Sequence, residues 1–387
     1  MKQAKTMRRM SMLLLVAALA ACTTPKNSQD RVSTDSATQS TARSDAVVRQ
    51  SIGTGLYEVA YSARQNAVFV ASAGKFGPES DGSRIYRLNP QTLAMEAEIA
   101  LPHRGFGVVL DDASDRLYVG HSADAAVTVI DTRNQSIVKT IPLAEKQKSP
   151  DGKEHYPHKF RELVVDRAAK RLYLPGMSRD GSSLYVVNTD TLTLETVVAG
   201  FGPLATGITL DEQGRRLFVS NLRGRIHQVD TNTLTIVSQW ESGSDQPLNL
   251  AYDARRGLVY AVDQSLDQIY KSRQKLEPGF TPRAQANDIV VIDPALRKAV
   301  AHMPTGQGPV SLLADVERDR LYVTNRGAGS VTVFDLQTRR LLQTVELGSH
   351  PNSLALDPAS GAVFVSIKRP FVKDGTVVDD VARIELP

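Results

Sequence analysis

The sequence is poor in cysteine, tryptophan and long apolar runs. Its 387 residues include one Cys and one Trp, and aromatic residues make up only 6% of the chain. A single thiol cannot form an internal disulfide. The polar, Gly- and Pro-rich composition excludes a membrane transporter and a coiled coil.

Signatures of catalysis and of metal binding are also scarce. The chain has no Gly-x-Ser-x-Gly elbow and no phosphate-cradling loop, and its Asp-Gly pairs are ordinary turns. Two of its seven histidines, His155 and His158, lie close together in a segment that we expect to be exposed, but the sequence indicates no third metal ligand. We therefore expect no cofactor and no metal.

The net charge of +4 comes from the amino terminus, because residues 1–21 hold four basic residues and no acid. An apolar stretch, residues 13–21, follows the basic start and is too short to span a bilayer. This layout predicts a secretory signal. Leu19-Ala20-Ala21-Cys22 resembles the bacterial lipobox, in which the Cys carries lipid. A plain cleavage site with an incidental Cys is the alternative.

The lipobox interpretation predicts a periplasmic protein anchored by Cys22, and Thr23 after the Cys points to the outer membrane. Residues 23–46 contain ten Ser or Thr and no aromatic residue. Such a segment cannot bury enough apolar surface to fold, so 22–46 is interpreted as the lipidated Cys and a disordered tether. The predicted domains are a signal peptide at 1–21, this tether, and a folded unit at 47–387.

The folded unit is built from repeats, which determine its fold class. A turn with charged residues and a strand centred on an aromatic residue recur seven times. A short strand precedes each copy, and a strand ending near Asp or Asn, followed by a tight turn, comes after most of them. The central aromatic residues are Phe69, Tyr118, Tyr173, Phe218, Tyr260, Tyr322 and Phe364.

Four short strands per unit predict an all-β, seven-bladed β-propeller. We expect the turn Asp or Asn to accept backbone N–H bonds and the aromatic residue to fill the wedge between adjacent sheets. The seventh unit lacks a fourth strand, and residues 47–53 match that pattern. The amino-terminal strand is therefore predicted to complete the last blade and to close the ring.

Several segments resemble the YncE-like family of YVTN-repeat propellers. They are Leu321-Tyr322-Val323-Thr324-Asn325, Tyr57-Glu58-Val59-Ala60-Tyr61-Ser62, Arg161-Glu162-Leu163, His350 to Leu356, and Asp379 to Ile384, and the likeness extends over about residues 50–386. The resemblance implies seven blades, export and no established catalysis. It also implies a link to single-stranded DNA binding and, by context, to iron-limited growth. The lipidated start and a longer fifth blade depart from the family pattern.

Four insertions, at 73–83, 144–160, 264–286 and 368–378, all fall on the face opposite the tight turns, where binding is expected to concentrate. Together they carry a positive surplus of four charges and six aromatic residues. Basic groups among aromatics are typical of single-strand binding, with Tyr270, Lys271, Arg273 and Lys275 as candidates. Solvated loops with anchoring aromatics remain the alternative.

The family resemblance also indicates ligand-binding residues in the central funnel, at the starts of first strands and the ends of second strands. Asn and Thr at such positions also satisfy loop backbones, and Arg161 beside Glu162 also fits a charge pair without a ligand role. The candidates are Tyr57, Glu58, Phe106, Arg161, Glu162, Thr206, Asn221, Asn249, Asn325, Arg326, Asn352 and Lys368.

Two classes of function fit these observations. The first is a non-catalytic, monomeric binding or scaffold propeller in the periplasm that presents its loop-rich face to single-stranded DNA or to an envelope protein. The second is a lactonase-like small-molecule hydrolase or lyase, using funnel residues such as Glu58, Arg161, Glu162 and His350. The first is favoured, because no nucleophile and base are recognisably paired.

Overall fold

The computed structural model describes residues 47–75, 82–283, 286–370, 372 and 377–386. The predicted signal peptide, Cys22 and the tether lie outside these ranges. The first strand, β1 (Val47–Gly53), is followed by blade 1, which consists of β2 (Leu56–Ser62), β3 (Ala67–Ser72), β4 (Ser83–Leu88) and β5 (Met95–Leu101). Blade 2 consists of β6 (Gly105–Asp111), β7 (Arg116–His121), β8 (Ala126–Asp131) and β9 (Ser136–Pro142), with a short 3-10 helix at Asp112–Ser114.

Blades 3 to 5 carry the larger additions. Blade 3 is preceded by a hairpin of β10 (Gln147–Lys148) and β11 (Glu154–His155), and consists of β12 (Lys159–Phe160), β13 (Val164–Asp166), β14 (Arg171–Met177), β15 (Ser183–Asn188) and β16 (Thr193–Ala199). Blade 4 consists of β17 (Ala205–Asp211), β18 (Arg216–Asn221), β19 (Arg225–Asp230) and β20 (Thr235–Glu241). Blade 5 consists of β21 (Pro247–Asp253), β22 (Leu258–Asp263), the helix α1 (Asp267–Leu276), β23 (Asp288–Asp293) and β24 (Lys298–Pro304).

Blades 6 and 7 complete the ring. Blade 6 consists of β25 (Pro309–Asp315), β26 (Arg320–Asn325), β27 (Ser330–Asp335) and β28 (Leu341–Glu346), and blade 7 contains β29 (His350–Leu356), β30 (Val363–Lys368) and β31 (Asp379–Ile384). The fourth strand of blade 7 is β1, which pairs with β31 antiparallel from Val47 opposite Ile384 to Gly53 opposite Asp379. The predicted seven-bladed propeller, closed by its amino-terminal strand, is confirmed.

The core is divided among seven hydrophobic clusters, each of which joins two neighbouring blades. The repeated aromatic residue of one blade lies in each cluster together with strand residues of the next blade, and Phe364 of blade 7 closes the circle against blade 1. All seven aromatic side chains are at most 1% exposed. The prediction that they fill the wedges between sheets is confirmed.

The predicted role of the turn residue is confirmed as well. An acidic or amide side chain at the end of the third strand accepts backbone N–H bonds from residues two or three positions further along the chain, which fixes a tight turn. This occurs at Asp131, Asn188, Asp230, Asp293 and Asp335. Since the strands of a blade alternate in direction, these turns lie on the face opposite the starts of the first strands.

The insertions hold more regular structure than the predicted loops. Residues 264–286 contain the ten-residue helix α1, and 144–160 contain the β10–β11 hairpin and β12. The helix buries no residue completely, and its contacts are made mainly by its half-buried Ile269 and Tyr270. Helix propensity without a clear apolar stripe explains why the sequence pattern did not distinguish it from a loop.

Candidate ligand-binding funnel

Every blade begins with an irregularity that turns side chains toward the centre of the ring. In six blades the register between the first and second strands shifts near the start of the first strand. In blade 3 the first strand is split into β12 and β13, both paired with β14. A bulge re-aims the side chains within it. Eight predicted site residues lie in these irregular stretches: Tyr57, Glu58, Phe106, Arg161, Glu162, Thr206, Asn249 and Asn352.

The break in blade 3 has a local cause in the sequence. Pro175 of β14 faces the break and has no N–H to donate to a neighbouring strand. Gly107 of blade 2 lies against the same stretch, and a Cβ on Gly107 would overlap the carbonyl oxygen of Arg161. Only a glycine lets the two backbones approach this closely. The two features together place Arg161 and Glu162 on the funnel wall.

A stack of two aromatic rings between two cations crosses blades 7, 1, 2 and 3. The Tyr57 and Phe106 rings lie 4.0 Å apart between centroids at an angle of 32°. The Lys368 ammonium lies 4.0 Å from the centre of the Tyr57 ring, and the Arg161 guanidinium lies 4.7 Å from that of Phe106. Cations are attracted to the negative faces of aromatic rings. Four predicted residues from distant parts of the chain are thus brought into one contact series.

Lys368 is held in this position by oxygen atoms behind it. Its ammonium donates to the Leu56 carbonyl at 2.9 Å and lies 3.4 Å from the Asp379 carboxylate. Asp379 also accepts the Leu56 and Arg369 backbone N–H groups. Burial lowers the pKa of Lys368, an effect that the nearby Asp379 opposes. Lys368 is therefore held in place in the funnel wall, and its charge is already offset in part by Asp379.

Arg161 and Arg326 differ from Lys368 in making no ion pair with a described carboxylate. Among the described residues, neither guanidinium lies within ion-pair distance of a carboxylate or makes a hydrogen bond. Both are half-buried, and burial lowers the pKa of Arg326, with the charge of Arg161 acting in the same direction. Burial also raises the pKa of the Tyr57 phenol, which the charges of Arg161 and Arg326 oppose. This part of the funnel holds two guanidinium groups, without ion-pair partners among the described residues, near the Tyr57 ring.

The carboxyl groups of Glu58 and Glu162 interact with each other and with the charge of Arg161. Their outer oxygens accept other donors: the Val108 N–H donates to Glu58 Oε2 at 3.1 Å, and the Asn249 amide donates to Glu162 Oε1 at 2.9 Å. Burial and then the neighbouring Glu162 raise the pKa of Glu58 well above its usual range. Burial also raises the pKa of Glu162. Both shifts favour the protonated form of these carboxyls.

The contact between these two carboxyls was not foreseen from the sequence, although both residues were placed in the funnel. The two residues are over a hundred positions apart and come from blades 1 and 3. The sequence signal that could have indicated this contact was a Glu at the start of the first strand in two nearby blades. The pairing of Glu162 with Asn249 of blade 5 also shows that the wall groups reach across several blades.

Other predicted residues are tied into the scaffold. Asn221 donates to the Phe201 carbonyl at 2.9 Å and accepts the Arg223 and Arg225 N–H groups. Asn325 donates to Thr332 at 3.1 Å and accepts the Thr305 hydroxyl. These bonds agree with the alternative that such residues form hydrogen bonds with polar groups of the loops and strand ends and have no ligand role. Thr206 and Asn352 are 2% and 8% exposed and offer little surface to a ligand.

The four candidates on α1 divide into two pairs. Tyr270 stacks on Phe280 at 6.3 Å and 19°, and Arg273 lies over the same Phe280 ring at 3.9 Å and pairs with Glu277 at 2.8 Å. Both are therefore engaged within the insertion. Lys271 and Lys275 are exposed. A ligand on this part of the face meets two exposed ammonium groups rather than an open stacking platform.

The two histidines of the insertion at 144–160 are separate from this site. His155 is exposed in β11, whereas the His158 ring contacts the Tyr185 hydroxyl at 2.9 Å and the Gly181 carbonyl at 3.1 Å. Within the described ranges, no three His, Cys, Asp or Glu side chains are grouped as metal ligands. In the same part of the chain, no helix has the length and apolar character needed to cross a membrane.

Seven four-stranded sheets around a central funnel define the chain as a seven-bladed β-propeller. A chain of Kuenenia stuttgartiensis hydrazine synthase has the same fold, with a TM-score of 0.65 at 14% identity over 87% of this chain and 97% of that one. At this identity the likeness concerns the fold alone. No protein-family model matches the chain.

The chain is YncE-like, as the sequence motifs indicated. Salmonella typhi YncE is 28% identical to it over 353 residues, which cover 90% of this chain and 93% of the relative. Escherichia coli K12 YncE is 29% identical over 349 residues, again 90% and 93% of the two chains. Both relatives are described as uncharacterized, so the similarity carries the fold and the family likeness without a function.

Proposed function

We propose that the protein is a non-catalytic binding propeller that holds single-stranded nucleic acid on its funnel face. The observation that carries this proposal is the series Lys368, Tyr57, Phe106 and Arg161 next to the unpaired Arg326. Single-stranded nucleic acid combines phosphates, which need cations, with flat bases, which stack on aromatic rings or guanidinium planes. The funnel offers both kinds of group in one place.

The exposed Lys271 and Lys275 extend the positive surface from the funnel to α1. A strand that leaves the funnel over blade 5 would pass these ammonium groups. They supply charge without stacking, because Tyr270 is packed on Phe280. We therefore assign base contacts to the funnel and outer phosphate contacts to α1.

Anisotropy of a fluorescent oligothymidylate at several salt concentrations tests the proposal. Replacing Arg326 by Gln should flatten the salt dependence by about one unit, because each lost phosphate contact releases about one counterion fewer. The Phe106→Leu variant should weaken binding by about 1–3 kcal/mol and keep the slope, because the Phe106 ring supports the Arg161 guanidinium plane on which a base would stack. The Lys271→Gln/Lys275→Gln double variant should flatten the slope.

Arg340 provides a matched control, because it is an exposed arginine in a tight turn on the opposite face. The Arg340→Gln variant should bind as the wild type does. Equal weakening by Arg340→Gln and Arg326→Gln would mean nonspecific attraction. A wild type that binds no more tightly than about 10⁻⁴ M, the weak end of nonspecific contacts, would reject nucleic acid as the ligand and favour an envelope protein partner on the same face.

The cellular setting is part of the proposal. Lipidation at Cys22 would anchor a monomeric propeller to the outer membrane on the tether of residues 22–46, in the periplasm. The resemblance to YncE-like proteins supports export and a link to iron-limited growth. Growth of a deletion strain with and without an iron chelator tests that link, and equal growth in both media would reject it.

A second candidate function is favoured by one feature, the Glu58–Glu162 pair. Two carboxyls of which one keeps a proton can act as acid and base in the hydrolysis of a lactone or ester. Turnover of a set of chromogenic esters and lactones by the wild type, lost in Glu58→Gln, would establish this alternative. The binding proposal predicts no turnover above the rate of the buffer.

A further inference from the structure

A cleft of about 440 Å³ opens between the outer strands of blade 4 and the helix α1 of blade 5. Its walls come from the linker 200–203 before blade 4, the turn between β18 and β19, the strands β19 and β20, and the last turn of α1. The volume lies within the range of about 300–1,000 Å³ that is usual for small-molecule sites. The funnel is formed at the starts of the first strands, so the cleft is a separate site on the same face.

Glu277, which directly follows α1, is shared by two arginines of the cleft. The Arg223 Nη1 atom lies 3.0 Å from one of its oxygens, and the Arg273 Nε atom lies 2.8 Å from the other. The Arg223 side chain is only 15% exposed, and its Nε atom has no hydrogen-bond partner among the described residues. One carboxylate therefore serves two guanidinium groups, and one buried N–H is left without an acceptor.

Glu241, at the end of β20, is shared in the same way. The Nη2 atoms of Arg225 and Arg283 each lie 3.3 Å from one of its oxygens, and Arg283 also lies 3.4 Å from Asp245. The cleft lining holds three arginines and two glutamates, so three positive charges meet two negative charges. The balance favours an anionic ligand.

His227 of β19 lines the buried side of the cleft. Its side chain is in a residue that is 1% exposed, its ring lies 5.3 Å from the Phe201 ring, and its Nδ1 atom has no hydrogen-bond partner among the described residues. Burial lowers the pKa of His227, so the ring adds no charge near neutral pH. A neutral imidazole donates at one nitrogen and accepts at the other, so it adds a polar contact without changing the charge balance.

The arginines indicate the chemical class of the ligand. A guanidinium matches the geometry of a carboxylate or a phosphate, because it donates two parallel N–H bonds. The arginines form two groups, one held by Glu241 at the end of β20 and one held by Glu277 after α1. Polar and charged side chains make up most of the lining, so an aliphatic chain with an acidic group at each end fits it better than a nucleobase.

We propose that the cleft between blade 4 and α1 binds a short aliphatic dicarboxylate, with one carboxylate on Arg225 and the other on Arg223 and Arg273. This site goes beyond the proposed function, because it uses no residue of the funnel. The bound carboxylates share the guanidinium groups with Glu241 and Glu277, which keep the arginines in place when the cleft is empty.

Isothermal titration of the whole protein at low salt tests the proposal, with glutarate as the probe and with butyrate and inorganic phosphate as comparison ligands. Glutarate should bind with one molecule per chain, and added sodium chloride should weaken the binding because it screens the charges. Butyrate has a similar chain with one carboxylate and should bind at least about tenfold more weakly, because it loses one set of charged hydrogen bonds.

Two substitutions at one ion pair should act in opposite directions. Arg225→Gln removes a ligand contact and should weaken glutarate binding at least about tenfold. Glu241→Gln removes the carboxylate that competes for Arg225 and should strengthen binding several-fold. A merely structural role of the ion pair would weaken binding in both variants, and that result would overturn the inference.

Gln239 offers a test that leaves every charge in place, because it is exposed on β20 and lines the cleft. Gln239→Phe should narrow the cleft and weaken glutarate binding, and it tests the site if Arg225→Gln does not fold. Arg340→Gln, on the opposite face, should bind glutarate as the wild type does.

Three further results would overturn the inference: equal affinity for glutarate and butyrate, tighter binding of phosphate than of glutarate, and displacement of glutarate by an oligothymidylate. The last two would assign the arginines to a phosphate group instead. Glutarate binding in a protein that does not bind the oligothymidylate would support the cleft and reject the proposed function, so the two proposals fail separately.

Discussion

Replacement of Tyr260 by Phe tests how the wedges between blades are packed. Tyr260 is 0% exposed and lies among Leu248, Val262 and Leu321 between blades 5 and 6. Its hydroxyl has no hydrogen-bond partner among the described residues, and burial raises its pKa to about 12. The ring is therefore packed against apolar side chains, whereas the hydroxyl is buried without a hydrogen bond to a described residue.

A buried polar group without a partner costs about 1–3 kcal/mol. Tyr260→Phe removes that cost and keeps the ring, so the free energy of unfolding should stay unchanged or rise by about 1 kcal/mol. The equivalent position holds Phe in three other blades, which shows that the wedge accommodates that ring. Tyr260→Ala removes the ring as well and should cost about 3–5 kcal/mol.

Tyr185 provides the control, because it is 4% exposed and its hydroxyl is hydrogen-bonded to the His158 ring at 2.9 Å. Tyr185→Phe should lower the free energy of unfolding by about 0.5–1.5 kcal/mol. Urea unfolding followed by fluorescence and by circular dichroism measures both variants. A loss for Tyr260→Phe equal to that for Tyr185→Phe would refute the assignment of an unsatisfied hydroxyl at the wedge.

Three further predictions concern closure, the funnel backbone and the anchor. Deletion of residues 47–53 should destabilise the protein by at least about 3 kcal/mol, because it removes Arg49 from the buried Asp380 and bares β31, whereas deletion of 23–46 should leave the melting temperature unchanged. Equal melting temperatures for the two deletions would contradict the ring closure. Gly107→Ala should displace the Arg161 backbone and weaken oligonucleotide binding even where the protein remains folded, and unaltered affinity would show that Arg161 is not a contact. Cys22→Ala should abolish metabolic labelling with palmitate, and an unlabelled wild type would reject lipidation.

The fold could be predicted almost completely from the sequence because it repeats. Seven aromatic-centred strands and the turn residues after the third strands set the blade count, and the absence of a fourth strand at the carboxyl end led to β1. The helix α1 was missed, because its residues have helix propensity but no clear apolar face. Local periodicity does not identify an element that packs by only a few side chains.

The sequence predicted where the site residues lie along the first strands, but it did not predict which of their side chains are in contact. The starts of first strands were correctly placed around the funnel, since every blade has the same topology. Which side chains meet depends on bulges and on the break at Pro175, and these act between blades. The sequence therefore indicated Glu58 and Glu162 separately and did not indicate that the two carboxyls interact.

Photo-crosslinking of an oligothymidylate that carries 4-thiothymidine tests the central claim most directly, because it reports where a bound strand lies. Mass spectrometry of the digested complex identifies the attached peptide. We predict crosslinks to the peptides of Tyr57 and Phe106, lost on competition with unlabelled strand and retained in Arg340→Gln. Crosslinks confined to the tight-turn face, or none under conditions where the strand is bound, would contradict the assignment of the funnel as the ligand site.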